Sequence, residues 1–336
     1  MKRVFKLASL VCAVLALSVS GTAYAQSKDK VVLMLNWYLY SEHAPFFLGK
    51  ERGYYDQEGI DLDIQEGRGS GVTVQAVAAN TATFGYVDIA TMIKAAAKGA
   101  PVKAVGVALQ LSPMSVMGFA DKNIKTPKDI VGKTVAVTPG DSMSQIWPLF
   151  LKKTDLKETD FKTVAGDAQT KLNAVMNGQA DLLLGYAMDQ SMKIKDATGK
   201  DVFPIKFADY GVNLVSSGVI VNKDWLNDNK DLVKRFMTAA TKSLEEASKH
   251  PKDAAQAILN ANPKGGKIET LTQGFELTIP LYKDPSGKKN RPFNVTDANV
   301  KDTVDVMVEY GGLDAKAKED FKNYYTNAYL PAGSGS

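Results

Sequence analysis

The stretch Ile60–Leu109, IDLDIQEGRGSGVTVQAVAANTATFGYVDIATMIKAAAKGAPVKAVGVAL, decides the architecture. Ile60–Gln65, Phe84–Tyr86 and Val102–Leu109 are short apolar runs of strand length. Between them lie two helical patterns, Val72–Ala79, opened by the glycine-rich turn Glu66–Gly71, and Ile89–Lys98, closed by Gly99. Strand alternating with helix predicts an α/β fold with parallel strands. Upstream, Val31–Asn36 reads as a further strand and Ala44–Arg52 as a helix ended by Gly53. Downstream the pattern restarts with strands at Ser115–Ala120, Val135–Thr138, Phe161–Val164, Asp181–Leu184 and Val202–Phe207. Thr126-Pro127 opens a short helix between the first two. Gly218–Asn222 is one more strand, and from Asp224 to Tyr329 the pattern is almost entirely helical. Two βα series of similar size, followed by a helical tail, predict two lobes whose strand ends face one another across a cleft.

Length and composition agree with this division. The chain has 336 residues, 45% hydrophobic and 23% charged, an ordinary globular balance with room for two cores. Lys2, Arg3 and Lys6 precede the apolar run Leu7–Val19, and Ala23-Tyr24-Ala25 has the small-residue pattern of a cleavage site. Residues 1–25 therefore read as a signal peptide, with the mature chain starting at Gln26. Cys12, the one cysteine, lies inside that segment behind Val11, which is too bulky for a lipid-anchoring signal. The mature chain is expected to be cleaved, not lipid-anchored, and free of disulfides, thiol chemistry and cysteine-bound metal. The formal charge of +4 falls to near +1 without the leader's three basic residues, and no long basic run is present. Nucleic-acid binding has little electrostatic support.

Three features fall just after strand ends, where a cleft would lie. The first is Asn36-Trp37-Tyr38 with His43-Ala44-Pro45: rings to stack on a flat ligand and an amide to bond its edge. Phe46 and Phe47 are assigned to the core. The second is the turn holding Arg68, Gly69 and Ser70, whose free amides at a helix start suit an anion or a polar ligand edge, with Ser70 able to cap. Its glycine spacing matches neither common phosphate loop. The third is Thr138 with Asp141 and Ser142 at the start of a second-lobe helix, one of them an N-cap; Trp147, further along, is assigned to the core. Tyr86, closing a strand, and Tyr186, just past a strand that ends at Gly185, complete the candidate set. His43 is the only plausible base. No Gly-x-Ser-x-Gly elbow, histidine pair at metal spacing or carboxylate cluster stands out, so neither catalysis nor a metal or cofactor is expected.

LNWYLYSEHAPFFLGKERGYYDQEGIDLDI, FGYVDIATMIKAAAKGAPVKAV and TPKDIVGKTVAVTPGDS closely resemble the exported solute-binding proteins of the thiamine-pyrimidine-precursor and sulfonate type, the extracytoplasmic receptors of ATP-driven (ABC) importers. The resemblance implies a type II periplasmic-binding-protein fold: two α/β lobes, each a mostly parallel sheet flanked by helices, joined by a two-segment hinge near Leu109–Ser115 and Ala208–Ser217. Residues 27–112 and 215–332 would form lobe one, and residues 113–214 the inserted lobe two. It also implies a periplasmic receptor that passes a small-molecule ligand to an inner-membrane permease; the sequence carries no sign of oligomerisation, and a monomer is expected. Asn36-Trp37 and His43 resemble the pyrimidine-binding members. Those members carry an acidic residue after Gly-x in the second lobe, where GYAMDQ places Ala187, with Asp189 two residues on. An aromatic carboxylate met by Arg68, or an aliphatic sulfonate, are the other ligands to weigh. The family's pyridoxal-dependent pyrimidine-forming enzymes share the histidine, but TFGYVDIATMI lacks their cofactor lysine. An exported enzyme using His43 and Asp141, and a sensor subunit, are the competing classes.

Overall fold

The computed structural model describes residues 27–287 and 291–333; the expected leader lies outside them. Among the described residues ten strands form: β1 (Asp29–Met34), β2 (Ile60–Gln65), β3 (Phe84–Asp88), β4 (Val102–Val107), β5 (Met114–Phe119), β6 (Thr134–Val137), β7 (Lys162–Ala165), β8 (Leu182–Tyr186), β9 (Val202–Lys206) and β10 (Ser217–Asn222). They build two five-stranded sheets, ordered β2-β1-β3-β10-β4 and β7-β6-β8-β5-β9. The two orders are one topology used twice, with β6, β7 and β8 in the places of β1, β2 and β3.

Each sheet is parallel except for one strand. β10 runs antiparallel between β3 and β4, and β5 antiparallel between β8 and β9. These are the strands by which the chain enters the second sheet and returns to the first. The strands on either side of them in sequence order do not reveal this reversal, so a uniformly parallel reading of the apolar runs stops there. β3, β5, β8 and β10 are buried along their whole length, as central strands covered by helices on both faces should be.

The two connections between sheets, residues 108–113 and 207–216, run side by side and bond each other. Ala108 and Leu109 donate their amides to the Ser217 carbonyl at 2.8 and 3.0 Å, and Ser216 N–H donates to Leu109 O at 2.9 Å. Ser112 N–H donates to Asn213 Oδ1 at 3.2 Å.

Return helices Lys230–Lys249 and Pro251–Ala261 pack on helix Ala44–Glu51 beside the first sheet, where Phe236 stacks on Phe84 at 3.9 Å between ring centroids. Helix Asp297–Glu309 spans the connections: Thr303 Oγ1 accepts from Val215 N–H at 3.0 Å, and Glu309 O accepts from Lys152 Nζ at 2.8 Å. A helix at Ala187–Thr198 follows β8 directly. Its mostly polar sequence carries little apolar periodicity, yet it buries Met188, Asp189, Gln190 and Ile194. Among the described residues no helix is long and apolar enough to cross a membrane.

A candidate ligand-binding site between the two sheets

A cavity of about 30 Å³ lies between the sheets. Asn36, Trp37 and Tyr40, from the segment after β1, line one side. Asp141, Ser142, Met143, Lys171, Gly185, Tyr186, Asp189 and Gln190, from elements around β6 and β8, line the other. This volume holds about two water molecules. Residues of the two sides face one another across it.

On the first side, Asn36 is 4% exposed and accepts at Oδ1 from His43 Nε2 at 2.7 Å. An amide oxygen only accepts, so His43 carries its proton on Nε2, and Asn36 keeps its amide donors for the cavity it lines. Burial, helped by the charge of Lys193, lowers the His43 pKa well below its ordinary value, so the ring is neutral. Trp37 is 8% exposed, and its Nε1–H is buried without a hydrogen-bond partner. Tyr40 donates its hydroxyl to the buried Glu42, which also accepts from Tyr86 at 2.7 Å. Burial raises the Glu42 carboxyl above its usual range, against the pull of these hydroxyls.

The second side carries the charges. Asp141 caps helix Ser142–Lys153, accepting at Oδ1 from Ser144 N–H at 2.7 Å. Its Oδ2 lies 3.5 Å from the Nζ of Lys171, a lysine only 2% exposed. That ammonium also stands 5.2 Å from the centre of the Trp37 ring, across the gap. Burial lowers the Lys171 pKa, and the Asp141 charge opposes the shift. Asp189 is held by Lys193 at 2.8 Å and by Gln190 Nε2 at 2.5 Å. The Tyr186 hydroxyl lies 3.5 Å from Ser142 Oγ and 3.2 Å from Ser216 Oγ, and Ser216 in turn donates to Asp88 at 3.3 Å.

Above the cavity the two glycine turns meet. A Cβ placed on Gly69 would lie 3.1 Å from Gly140 O and 3.2 Å from Asp141 Cα, and one on Gly71 would lie 3.0 Å from Gly140 O. Gly69 also has φ +134°, a conformation that only glycine adopts freely. The glycine-rich turn is thus a place of close backbone approach between the two halves.

Of the residues expected at the site, Asn36, Trp37, Asp141, Ser142 and Tyr186 line the cavity together, and the other seven are placed elsewhere. His43 is fully buried behind Asn36 and acts on the cavity only through it. Tyr38 is half-buried with its ring edge against Trp37, centroids 5.4 Å apart. Arg68 is exposed, off the cavity lining, and its charge helps the Thr170 hydrogen bonds to lower the Asp167 carboxyl across the gap. Gly69 contacts the Gly140 turn instead. Ser70 does not cap: the cap position falls on Gly69, and Ser70 Oγ accepts from Asp88 N–H at 3.0 Å. Tyr86 is buried against Phe46, 5.1 Å between ring centroids, with its hydroxyl on Glu42. Thr138 sits one residue beyond β6 with its hydroxyl buried and unpartnered, off the cavity lining. Trp147 is core, stacked on Phe150 and Phe207. Phe46 is core as well, whereas Phe47 is half-buried.

Sequence reasoning missed Tyr40, Met143, Lys171, Gln190 and the cavity-facing position of Asp189. Lys171 and Gln190 lie inside helices, where a polar residue reads as part of a solvated face. The signal for Asp189 was its place in the first turn after a strand end. Among the described residues, no group of three or more His, Cys, Asp or Glu is arranged to hold a metal ion.

A model of the family described as NMT1/THI5 like matches residues 40–254. A 4-amino-5-hydroxymethyl-2-methylpyrimidine phosphate synthase of Legionella pneumophila is 25% identical over 313 residues, covering 92% of this chain and 95% of that protein. A formylaminopyrimidine-binding protein of Halalkalibacterium halodurans is 25% identical over 300 residues, covering 88% of this chain and 90% of that one. In fold, the chain is similar to the alkanesulfonate-binding protein SsuA of Xanthomonas axonopodis pv. citri, with TM-score 0.67, 14% identity, and coverage of 90% of this chain and 99% of the other. The fold is therefore that of the periplasmic binding proteins.

Proposed function

The chain belongs to the NMT1/THI5-like family, and on that premise we propose that it is the extracytoplasmic substrate-binding protein of an ABC importer. Its ligand is a small aromatic or heteroaromatic compound, a hydroxymethylpyrimidine-like heterocycle being favoured. One observation carries the reading: a single cavity is lined from both sheets, with Asn36, Trp37 and Tyr40 facing Asp141, Lys171, Tyr186 and Asp189. A ligand that touches both halves favours the closed arrangement, and hinge rotation about the paired connections opens it. In this account residues 27–112 and 215–332 move as one lobe and residues 113–214 as the other. Residues 1–25 direct export to the periplasm, where a monomer delivers its ligand to the permease.

The acid that Ala187 fails to supply comes from Asp189, which lines the cavity and can meet a ring amine. An aliphatic sulfonate or an aromatic carboxylate fits less well. The buried Lys171 already faces Asp141, and Lys193 faces Asp189, so an anion would find no uncompensated cation among the lining residues and their partners. Arg68, the cation considered for a carboxylate, is exposed off the cavity. An enzyme using His43 is disfavoured because that ring is buried, neutral and committed to Asn36.

Thermal unfolding of the mature protein against pyrimidines, aromatic carboxylates, aliphatic sulfonates and amino acids tests the proposal. A ligand at about a thousand times its Kd adds roughly 4 kcal/mol of stability. A shift with one heteroaromatic class is the expected result. A shift with sulfonates alone, or with no class while native mass spectrometry finds nothing bound, would overturn it.

A further inference from the structure

A chain of buried hydroxyls crosses from the second sheet to the first beside the cavity. Ser142 Oγ lies 3.5 Å from the Tyr186 hydroxyl, that hydroxyl 3.2 Å from Ser216 Oγ, and Ser216 Oγ 3.3 Å from Asp88 Oδ2. Tyr186 ends β8, and Ser142 opens the helix after β6. Asp88 ends β3, and Ser216 is the last residue of the returning connection, directly before β10. Chemistry fixes the direction of the chain. A carboxylate only accepts, so Ser216 gives its one proton to Asp88, and the proton between Tyr186 and Ser216 must come from Tyr186. Burial, then the charges of Asp88 and Glu42, raises the Tyr186 hydroxyl well above its ordinary pKa, so that proton is always present.

The hydrogen bonds on the Asp88 side chain are all made within the first half. Oδ1 accepts from Thr91 N–H and Oγ1–H, each at 2.8 Å, and Oδ2 from Ser216. Ser216 is itself tied there, its carbonyl accepting from Ile89 N–H at 2.9 Å. Within the chain, the Tyr186–Ser216 bond alone joins the two halves. The second half also covers Asp88. Helix Ile89–Ala97, which Asp88 caps, packs on helix Ser142–Lys153, and Lys94 Nζ donates to Gln145 O at 3.1 Å.

Resting on the binding-protein reading, we propose that Tyr186, Ser216 and Asp88 form a latch at the hinge, which holds the second sheet to the first before any ligand arrives, with Asp88 positioning the serine hydroxyl for Tyr186. Rotation of the halves apart breaks the Tyr186–Ser216 bond and admits water to Asp88. Burial raises that carboxyl to about 6, against the pull of Thr91 and Ser216. Its hydrogen bonds survive opening while burial is relieved, so its pKa is higher with the halves together than apart. Acid therefore favours the halves together, an effect gained as pH falls through about 6. Protonated, Asp88 donates from Oδ2 and the chain reverses without breaking: Ser216 then donates to Tyr186. No cation pairs with Asp88 among the described residues. The charged or titratable groups around it are Tyr186, Glu42 felt through Tyr186, Asp141 at the start of the second-half helix, and Lys94 further along its own helix. Helix Ser70–Ala78 and β10 carry none, and helix Asp297–Glu309 keeps Lys301 and Asp302 exposed.

Distances between two spin labels, measured without ligand, test the latch. The mature protein from Gln26 contains no cysteine, so labels on Asp61→Cys in β2 and Lys162→Cys in β7, both exposed edge positions, report one distance across the halves. Pulsed dipolar spectroscopy then reads the ratio of short to long distances. Tyr186→Phe keeps the ring and removes the bond, and should lower that ratio about fivefold at every pH, the worth of one ordinary hydrogen bond. In the otherwise unmodified protein the ratio should rise several-fold between about pH 7.5 and about pH 5. Asp88→Asn accepts from Thr91 and donates to Ser216, as the protonated acid does, and should hold the acid ratio throughout. A merely structural chain would change the unfolding midpoint of these variants and leave the ratio alone. A ratio that Tyr186→Phe does not lower, or a pH response that survives Asp88→Asn, would overturn the proposal; should Tyr186→Phe fail to fold, the Asp88→Asn profile decides. If compounds of the thermal panel shorten the distance while pH and both variants leave it unmoved, the latch fails and the receptor reading stands. If nothing moves it, both fail.

Discussion

His43 acts without a charge. Its Nε2–H fixes the Asn36 side chain, and burial keeps the ring neutral. His43→Ala should weaken ligand binding about tenfold, equivalent to losing about 1.4 kcal/mol, because Asn36 is then free to turn its amide. Ligand affinity of the unmodified protein should stay flat between pH 6 and 8, as a titration series would show; a midpoint near the ordinary histidine value would mean that a charged His43 takes part. Asp88 behaves differently. Burial, partly offset by Thr91 and Ser216, pushes its carboxyl up to about 6 from an ordinary 3.8. Between roughly pH 4 and 6 the folded protein therefore holds a proton that the unfolded chain has lost. The stability this contributes is complete below about pH 4 and is lost as pH rises through about 6, a total of about 3 kcal/mol. Asp88→Asn keeps a helix-capping side chain but cannot ionise. Denaturant unfolding across this range should show the unmodified protein losing stability with pH relative to the variant, and parallel curves would refute the assignment.

At the level of elements, the glycine turn and helix Ser70–Ala78 set how closely the halves approach. Gly71 sits in the first turn of that helix at an ordinary φ, so alanine suits its own backbone and gains helix propensity. Its Cβ would nonetheless meet Gly140 O at 3.0 Å across the cleft. Gly71→Ala should leave unfolding of the unliganded protein unchanged or slightly raised while lowering ligand affinity several-fold. Equal affinity would show that closure does not require this contact. Which features could be read in the sequence follows the same division. Strands and helices with an apolar face announced themselves, and residues just after strand ends, such as Asn36, Asp141 and Tyr186, fell at the cavity. Arg68, Ser70 and Tyr86 did not, because an exposed turn holds one off the lining, a backbone amide claims the second, and Phe46 with Glu42 buries the third. Lys171 was illegible because a lysine on a helix reads as solvated until packing from the other half encloses it.

Across the whole molecule, one sheet topology occurs twice, and two bonded connections plus a bridging helix join the copies. The doubled βα pattern was visible in the chain; the one antiparallel strand inside each sheet was not, since reversal of direction leaves no mark on a fully apolar run. This plan accounts for a cavity that neither half builds alone. Its central claim is that one ligand is gripped from both sheets. The most direct test is calorimetric titration of whichever heteroaromatic compound gives the largest thermal shift against Asn36→Ala, on the first side, and Asp189→Asn, on the second. The account predicts that each variant loses at least tenfold in affinity while still unfolding in one cooperative transition without ligand. Undiminished binding by either variant would place the ligand on one half alone and contradict the clamp.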